Sequence, residues 1–104
     1  MVTISAHAKE GEDIYKLLIN KEFQLRKSNK GAFIRRTGKS RSKRDIWVHK
    51  RHRGWVEFSK GVNGSLTCTV KSKVEEEEWQ IFDAFIGFLA RHFKNQISSI
   101  NISF

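Results

Sequence analysis

VEFSKGVNGSLTCTV, residues 56–70, holds two runs in which apolar and polar residues alternate: Val56 and Phe58 before a turn, then Leu66, Cys68 and Val70 after it. A period of two marks a strand with one buried face. Asn63-Gly64 invites a two-residue hairpin turn. That turn would pair Phe58 with Thr69 and split the apolar residues between both faces of the sheet. A three-residue loop, Val62 to Gly64, instead pairs Gly61 with Ser65, Val56 with Val70 and Phe58 with Cys68. It gathers every apolar side chain on one face. Because a one-residue slip inverts every side chain, this second register is expected, with Gly64 in the left-handed conformation of a bulge.

Upstream, Ile46 and Val48 alternate with Trp47 and His49 and make the preceding strand. The same reasoning sets Val48 opposite Val56 and Ile46 opposite Phe58, joined by a loop from Lys50 to Gly54. Trp47, His49, Trp55 and Glu57 would then share the outer face. Before this strand runs RRTGKSRSKR, residues 35–44, which has no apolar residue and is expected to be a mobile loop. Further upstream, Phe23 and Leu25 suggest a strand that turns at Ser28 to Gly31 and returns through Phe33 and Ile34.

Downstream, a long helix is expected from Glu75 to Lys94. Gln80, Asp83, Arg91 and Lys94, with Gly87, make one narrow polar stripe, and nearly everything else is large and apolar. A helix resting on a sheet needs only about a third of its circumference apolar. This one needs cover on two sides, from the sheet and from either a first helix or a second subunit, so a homodimer is expected. Ile97, Ile100, Ile102 and Phe104 give a terminal strand. At the other end, Val2, Ile4, Ala6 and Ala8 alternate with polar residues, and Gly11, Glu12 and Asp13 open a short helix through Ile14, Leu17 and Leu18. The whole reads as a single α+β domain over residues 1–104. Its antiparallel sheet of about five to seven strands packs on one long C-terminal helix and a short N-terminal helix, with a C-terminal edge strand.

The tail Trp79-x-x-Phe82-Asp83-Ala84-Phe85-Ile86-Gly87-Phe88-Leu89-x-Arg91-His92-Phe93, followed by Ile97-x-x-Ile100-x-Ile102, resembles small bacterial proteins of the kind carried on mobile elements such as integron gene cassettes. The match covers about the last quarter of the chain. It implies a bacterial α+β protein and brings no catalytic residues and no ligand, so function must be argued from the residues themselves.

Composition narrows the classes. The chain has 104 residues, of which 38% are hydrophobic, and its 8 Phe and 3 Trp supply much of the area a core can bury. A lone Cys68 excludes a disulfide framework and any Cys-rich zinc module. No run approaches the roughly 20 apolar residues of a membrane span, and the N-terminus lacks the layout of a signal peptide. A soluble, cytoplasmic protein with no membrane partner is expected.

The charge is concentrated. Between Lys21 and Lys60 stand 14 Lys or Arg and 3 acids, a net +11, whereas the rest of the chain has 6 basic and 8 acidic residues, a net −2. Such a segment attracts polyanions by steering and counterion release. Trp47 and Trp55 lie within it, beside Lys43, Arg44, Lys50, Arg51 and Arg53. Exposed aromatics on a sheet let unpaired bases stack while Lys and Arg follow the backbone. The expected site therefore joins Trp47, His49 and Trp55 to Arg35, Arg36, Lys39, Arg41, Lys43 and Arg44 from the basic run, with Lys50, Arg51 and Arg53 from the following loop. It would bind single-stranded nucleic acid or RNA without strong sequence readout. Cover by the first helix or by a second subunit is the structural alternative for the two tryptophans.

Other constellations are weaker. Thr37-Gly38-Lys39-Ser40 lacks the upstream glycine and the following helix of a phosphate loop. His49 and His52 have metal-like spacing, but the field of Lys50, Arg51 and Arg53 opposes a dication and no carboxylate accompanies them in sequence. The same two histidines beside cations would suit a small ribonuclease-like enzyme only if their imidazoles converged. Glu75 to Glu78 suit the first turn of a helix. A non-enzymatic binding domain without cofactor or metal is expected. The second class considered is an oligomeric protein-interaction or small-ligand module with no nucleic-acid role.

Overall fold

The computed structural model describes residues 1–37 and 45–104. Along the chain come β1 (Val2–Ala8), α1 (Ile14–Lys27), β2 (Phe33–Thr37), β3 (Asp45–His49), β4 (Trp55–Lys60), β5 (Leu66–Lys71), α2 (Glu75–Phe93) and β6 (Ile97–Ser103). Among the described residues the strands form one six-stranded sheet in the order β2-β3-β4-β5-β1-β6, with each of these pairings antiparallel. The expected α+β class, the long C-terminal helix and the C-terminal edge strand are all present. Among the described residues, no helix is long and apolar enough to cross a membrane.

The β4–β5 hairpin has the register that burial demands. Val56 faces Val70, Phe58 faces Cys68, and the backbone N–H of Gly61 donates to the carbonyl of Ser65 at 2.9 Å. Gly64 closes the loop at φ +77°, and its carbonyl accepts from the Ile14 N–H at 3.0 Å, so the hairpin tip is joined to the start of α1. Cys68 is fully buried, which pushes its thiol far above the usual range and leaves it a small core residue.

The β3–β4 hairpin departs from expectation by one residue. Trp47, not Val48, stands opposite Val56, and Val48 stands opposite Trp55. Trp47 and His49 therefore face the helices, while Ile46 and Val48 face outward. The reason lies in the core: Trp47 is fully buried, with its ring 5.3 Å from that of Phe58, 5.3 Å from Phe88 and 5.9 Å from Phe33. An indole buries far more surface than valine or isoleucine, and edge-to-face packing adds to that gain.

Helix α1 corrects a second expectation, because Phe23 and Leu25 belong to it and not to a strand. Asp13 caps it by accepting from the Lys16 N–H, and Ile14 and Leu18 enter the core at helical spacing. The segment from Lys21 to Lys27 consists of sound helix formers apart from Phe23, and Glu22 with Arg26 makes an i,i+4 pair at 3.3 Å. Both helices lie on one face of the sheet. Ile81, Phe85 and Leu89 of α2, with Ile14 and Leu18 of α1, close over Ile4, Val56, Leu66, Cys68 and Val70.

Candidate nucleic-acid interface

With both helices on one face, no described element covers the other. The register places Ile34, Val48, Trp55 and Lys71 in one cross-strand row over β2 to β5, and Arg36, Ile46, Glu57 and Thr69 in the next. Toward β1 and β6 the same face is hydroxyl-rich, with Thr3, Ser5, Thr67, Ser99 and Ser103. Its apolar content is thus confined to the half built from the basic segment.

Trp55 is half-buried on this face. Its indole Nε1–H donates to Glu57 Oε1 at 3.1 Å, and the other carboxylate oxygen of Glu57 lies 3.0 Å from the ammonium of its neighbour Lys71. The carboxylate thus ties one edge of the indole to its own strand. Trp47 is the correction here: buried between the sheet and α2, it offers no surface on which a base could stack.

The basic residues divide by strand face. Arg36 is exposed on the open face at the β2 edge. Arg35, one residue earlier, points toward α1, where Asp45 accepts from its Nε at 3.0 Å and also from the Tyr15 hydroxyl. The hydrogen bond to Asp45 raises the Arg35 guanidinium further, while burial and then the same carboxylate push the Tyr15 phenol up. Arg35 is therefore committed to holding α1 against the sheet. Arg35 to Thr37 are strand, not loop, whereas Lys39, Arg41, Lys43 and Arg44 lie outside the described residues.

Lys50, Arg51 and Arg53 are exposed on the β3–β4 loop. That loop is organised from within by His49, whose Nδ1 accepts from the backbone N–H groups of Arg51 at 3.0 Å and His52 at 3.2 Å. Accepting at Nδ1 leaves the proton of the neutral ring on Nε2. Burial first, then the nearby His52 and Arg51, lower the His49 pKa, with Glu77 opposing.

His52 shows what sequence spacing missed. Glu77, from the first turn of α2, brings its Oε2 to 2.5 Å from His52 Nδ1, supplying the carboxylate partner absent from the local sequence. The rings of His49 and His52 are 4.7 Å apart. The four glutamates at 75–78 read as a helix start, and they are one; only tertiary packing reveals that Glu77 also reaches the loop. Among the described residues, no group of three or more His, Cys, Asp or Glu side chains comes together in a form that could hold a metal ion. No protein family, curated protein or solved structure matches this chain.

Proposed function

We propose that the protein binds single-stranded nucleic acid, with little sequence readout, on the open face of β2 to β5. The observation that carries this reading is the row Ile34–Val48–Trp55, a half-buried apolar strip with one aromatic ring, drawn from the segment of net +11 and ending at Lys71, on the face that no described element covers. A base stacking on one aromatic ring contributes about 1–3 kcal/mol whatever its identity. Arg36 in the neighbouring row, with Lys50, Arg51 and Arg53 on the adjoining loop, supplies cations for phosphates. Unpaired strands suit the surface better than duplex because this face presents no described helix to enter a groove and the Trp55 ring needs an unstacked base.

The test is fluorescence anisotropy of labelled single-stranded RNA, single-stranded DNA and duplex DNA at two salt concentrations. The expected result is salt-sensitive binding of the single strands, weakened at least several-fold by Trp55→Ala. Absence of binding at low salt, or binding indifferent to salt, overturns the reading.

A second reading has an observation of its own. Trp79, Ile102 and Phe104 are exposed together beside the edge strand β6, with the Trp79 and Phe104 rings 5.5 Å apart. We infer that a second copy of the chain covers this edge, pairing β6 with its own counterpart. An open strand edge flanked by apolar side chains is a template for such pairing. Sedimentation across a range of concentrations tests it: dimer lost in Ile102→Lys supports the pairing, and a monomer at every concentration overturns it.

A further inference from the structure

At the end of β3 the loop 50–54 and the turn before β2 enclose a cleft of about 500 Å3 lined by Gly31, Ala32, His49, Lys50, Arg51 and His52. Two histidines, a lysine and an arginine thus line one concavity, on the same basic segment as the open sheet face. His49 has a structural duty, since its Nδ1 holds the loop. His52 instead reaches across to α2. Its Nδ1 faces a carboxylate, which can only accept, so the Nδ1 proton is donated to Glu77 and the neutral ring keeps its lone pair on Nε2. An imidazole oriented by a carboxylate through one nitrogen, with the lone pair of the other left to accept a proton, has the arrangement of a general base.

We propose that this cleft cleaves single-stranded RNA, with His52 as the general base, Glu77 as the residue that positions it, and Lys50 and Arg51 stabilising the charge that develops on phosphorus. The proposal rests on the nucleic-acid reading above and deepens it to a substrate. In the step, His52 Nε2 takes the proton of a ribose 2′-hydroxyl, the 2′-oxygen forms a bond to the adjacent phosphorus, and the bond from phosphorus to the 5′-oxygen breaks. The leaving 5′-oxygen takes a proton from water, and His52 releases its own to solvent. The products are a 2′,3′-cyclic phosphate and a free 5′-hydroxyl. Nothing is oxidised or reduced. The extra negative charge of the pentacoordinate phosphorus is where two neighbouring cations matter most, because their attraction strengthens as charge builds. His49, whose Nδ1 lone pair is engaged by the loop N–H groups, is not a second base.

The test follows a labelled single-stranded RNA with the full chain in EDTA, while anisotropy measures binding of a fully 2′-O-methylated copy that cannot be cut. The expected result is cleavage leaving cyclic-phosphate ends. It should slow by at least about 100-fold in His52→Ala prepared identically, with unchanged affinity for the methylated strand. Glu77→Gln should lower kcat about tenfold or more at unchanged KM, with kcat counted per folded molecule from the stoichiometry of methylated-strand binding, which neither loss of folding nor loss of strand affinity produces. Binding of the methylated strand without cleavage of RNA overturns the catalytic proposal and leaves the binding reading intact. So does cleavage equal in His52→Ala and the parent, or cleavage abolished by EDTA. Failure to bind even the methylated strand at low salt overturns both.

Discussion

The hydroxyl of Tyr15 on α1 donates to the carboxylate of Asp45 at the start of β3, and Arg35 of β2 donates to the same carboxylate. One acid thus fastens the first helix to the outer hairpin of the sheet. Lys60 of β4 sits 4.4 Å above the Tyr15 ring and completes the contact. The group is part-buried, so its hydrogen bonds are screened less than surface pairs but are not isolated from solvent.

Asp45→Ala should destabilise the protein by about 1.5–3 kcal/mol, the range for hydrogen bonds to charged groups, because it leaves Tyr15 and Arg35 without their acceptor. Denaturant unfolding of Asp45→Ala, Tyr15→Phe and the double variant forms a cycle. Coupling of at least about 0.5 kcal/mol is expected, and strict additivity would show that the contact is incidental.

Arg35 and Arg36 are chain neighbours with opposite duties, because successive strand residues point to opposite faces. Arg36→Ala should leave stability within about 0.5 kcal/mol, weaken binding of a single strand and reduce the slope of log affinity against log salt by about 0.7. Arg35→Ala should lower stability and leave the salt slope unchanged. A salt titration and a melting curve on both variants decide this. Equal slopes for the two would remove Arg36 from the interface.

That division bears on what the sequence made legible. In residues 56–70 only one register collects all apolar side chains, and Gly64 permits the loop that register needs. Burial alone therefore settles the pairing. In residues 46–49 both alternating sets are hydrophobic or aromatic, Ile46 with Val48 against Trp47 with His49, so periodicity cannot say which faces inward. The decision falls to distant partners: Phe33, Phe58 and Phe88 surround the Trp47 ring. Phe23 and Leu25 were ambiguous in the same way, with too few residues to separate a period of two from one of 3.6. Of the expected site, Arg36, Lys50, Arg51, Arg53 and Trp55 are on accessible surface, while Trp47 and His49 are buried and Arg35 is tied to Asp45. Glu77 was out of reach of sequence reasoning because its role depends on how α2 docks beside the β3–β4 loop.

The two tryptophans of that hairpin should separate stability from binding. Trp47→Ala should cost about 3–5 kcal/mol, as large-to-small changes in a packed aromatic core do. Trp55→Ala should cost no more than about 1 kcal/mol and act on strand affinity. Urea unfolding followed by circular dichroism measures the first, and anisotropy the second. A Trp47→Ala protein as stable as the parent would contradict the inward orientation of Trp47.

Gly64 tests the joint between hairpin and helix. Its φ of +77° lies in the left-handed region, and a Cβ there would collide with the carbonyl oxygen of Glu12. Gly64→Ala should therefore destabilise by more than the roughly 1 kcal/mol of conformational preference alone, since backbone must move as well. Gly11 has a similar φ of +81° with nothing within 4 Å of the added carbon, so Gly11→Ala should show the conformational cost by itself. Thermal unfolding of the pair isolates the steric part. Equal losses would show that the loop yields without strain.

His49 should make stability depend on pH near neutrality. Burial and the nearby His52 and Arg51 lower its pKa in the folded protein, with Glu77 of α2 acting in the opposite sense. The unfolded chain therefore binds a proton at His49 before the folded one does. Stability from this group is complete above the ordinary value of 6.5 and is lost as pH falls below it, levelling once the folded-state pKa is passed. His92, also lowered by burial and by Lys21 and Arg91, adds a loss of the same sign. The comparison must then be with His49→Asn, whose side-chain oxygen can accept the loop N–H bonds but does not titrate. Urea unfolding at pH 8 and pH 5 should show a smaller drop in the variant than in the parent. An identical drop would mean that His49 charges as easily in the folded protein as in the unfolded chain.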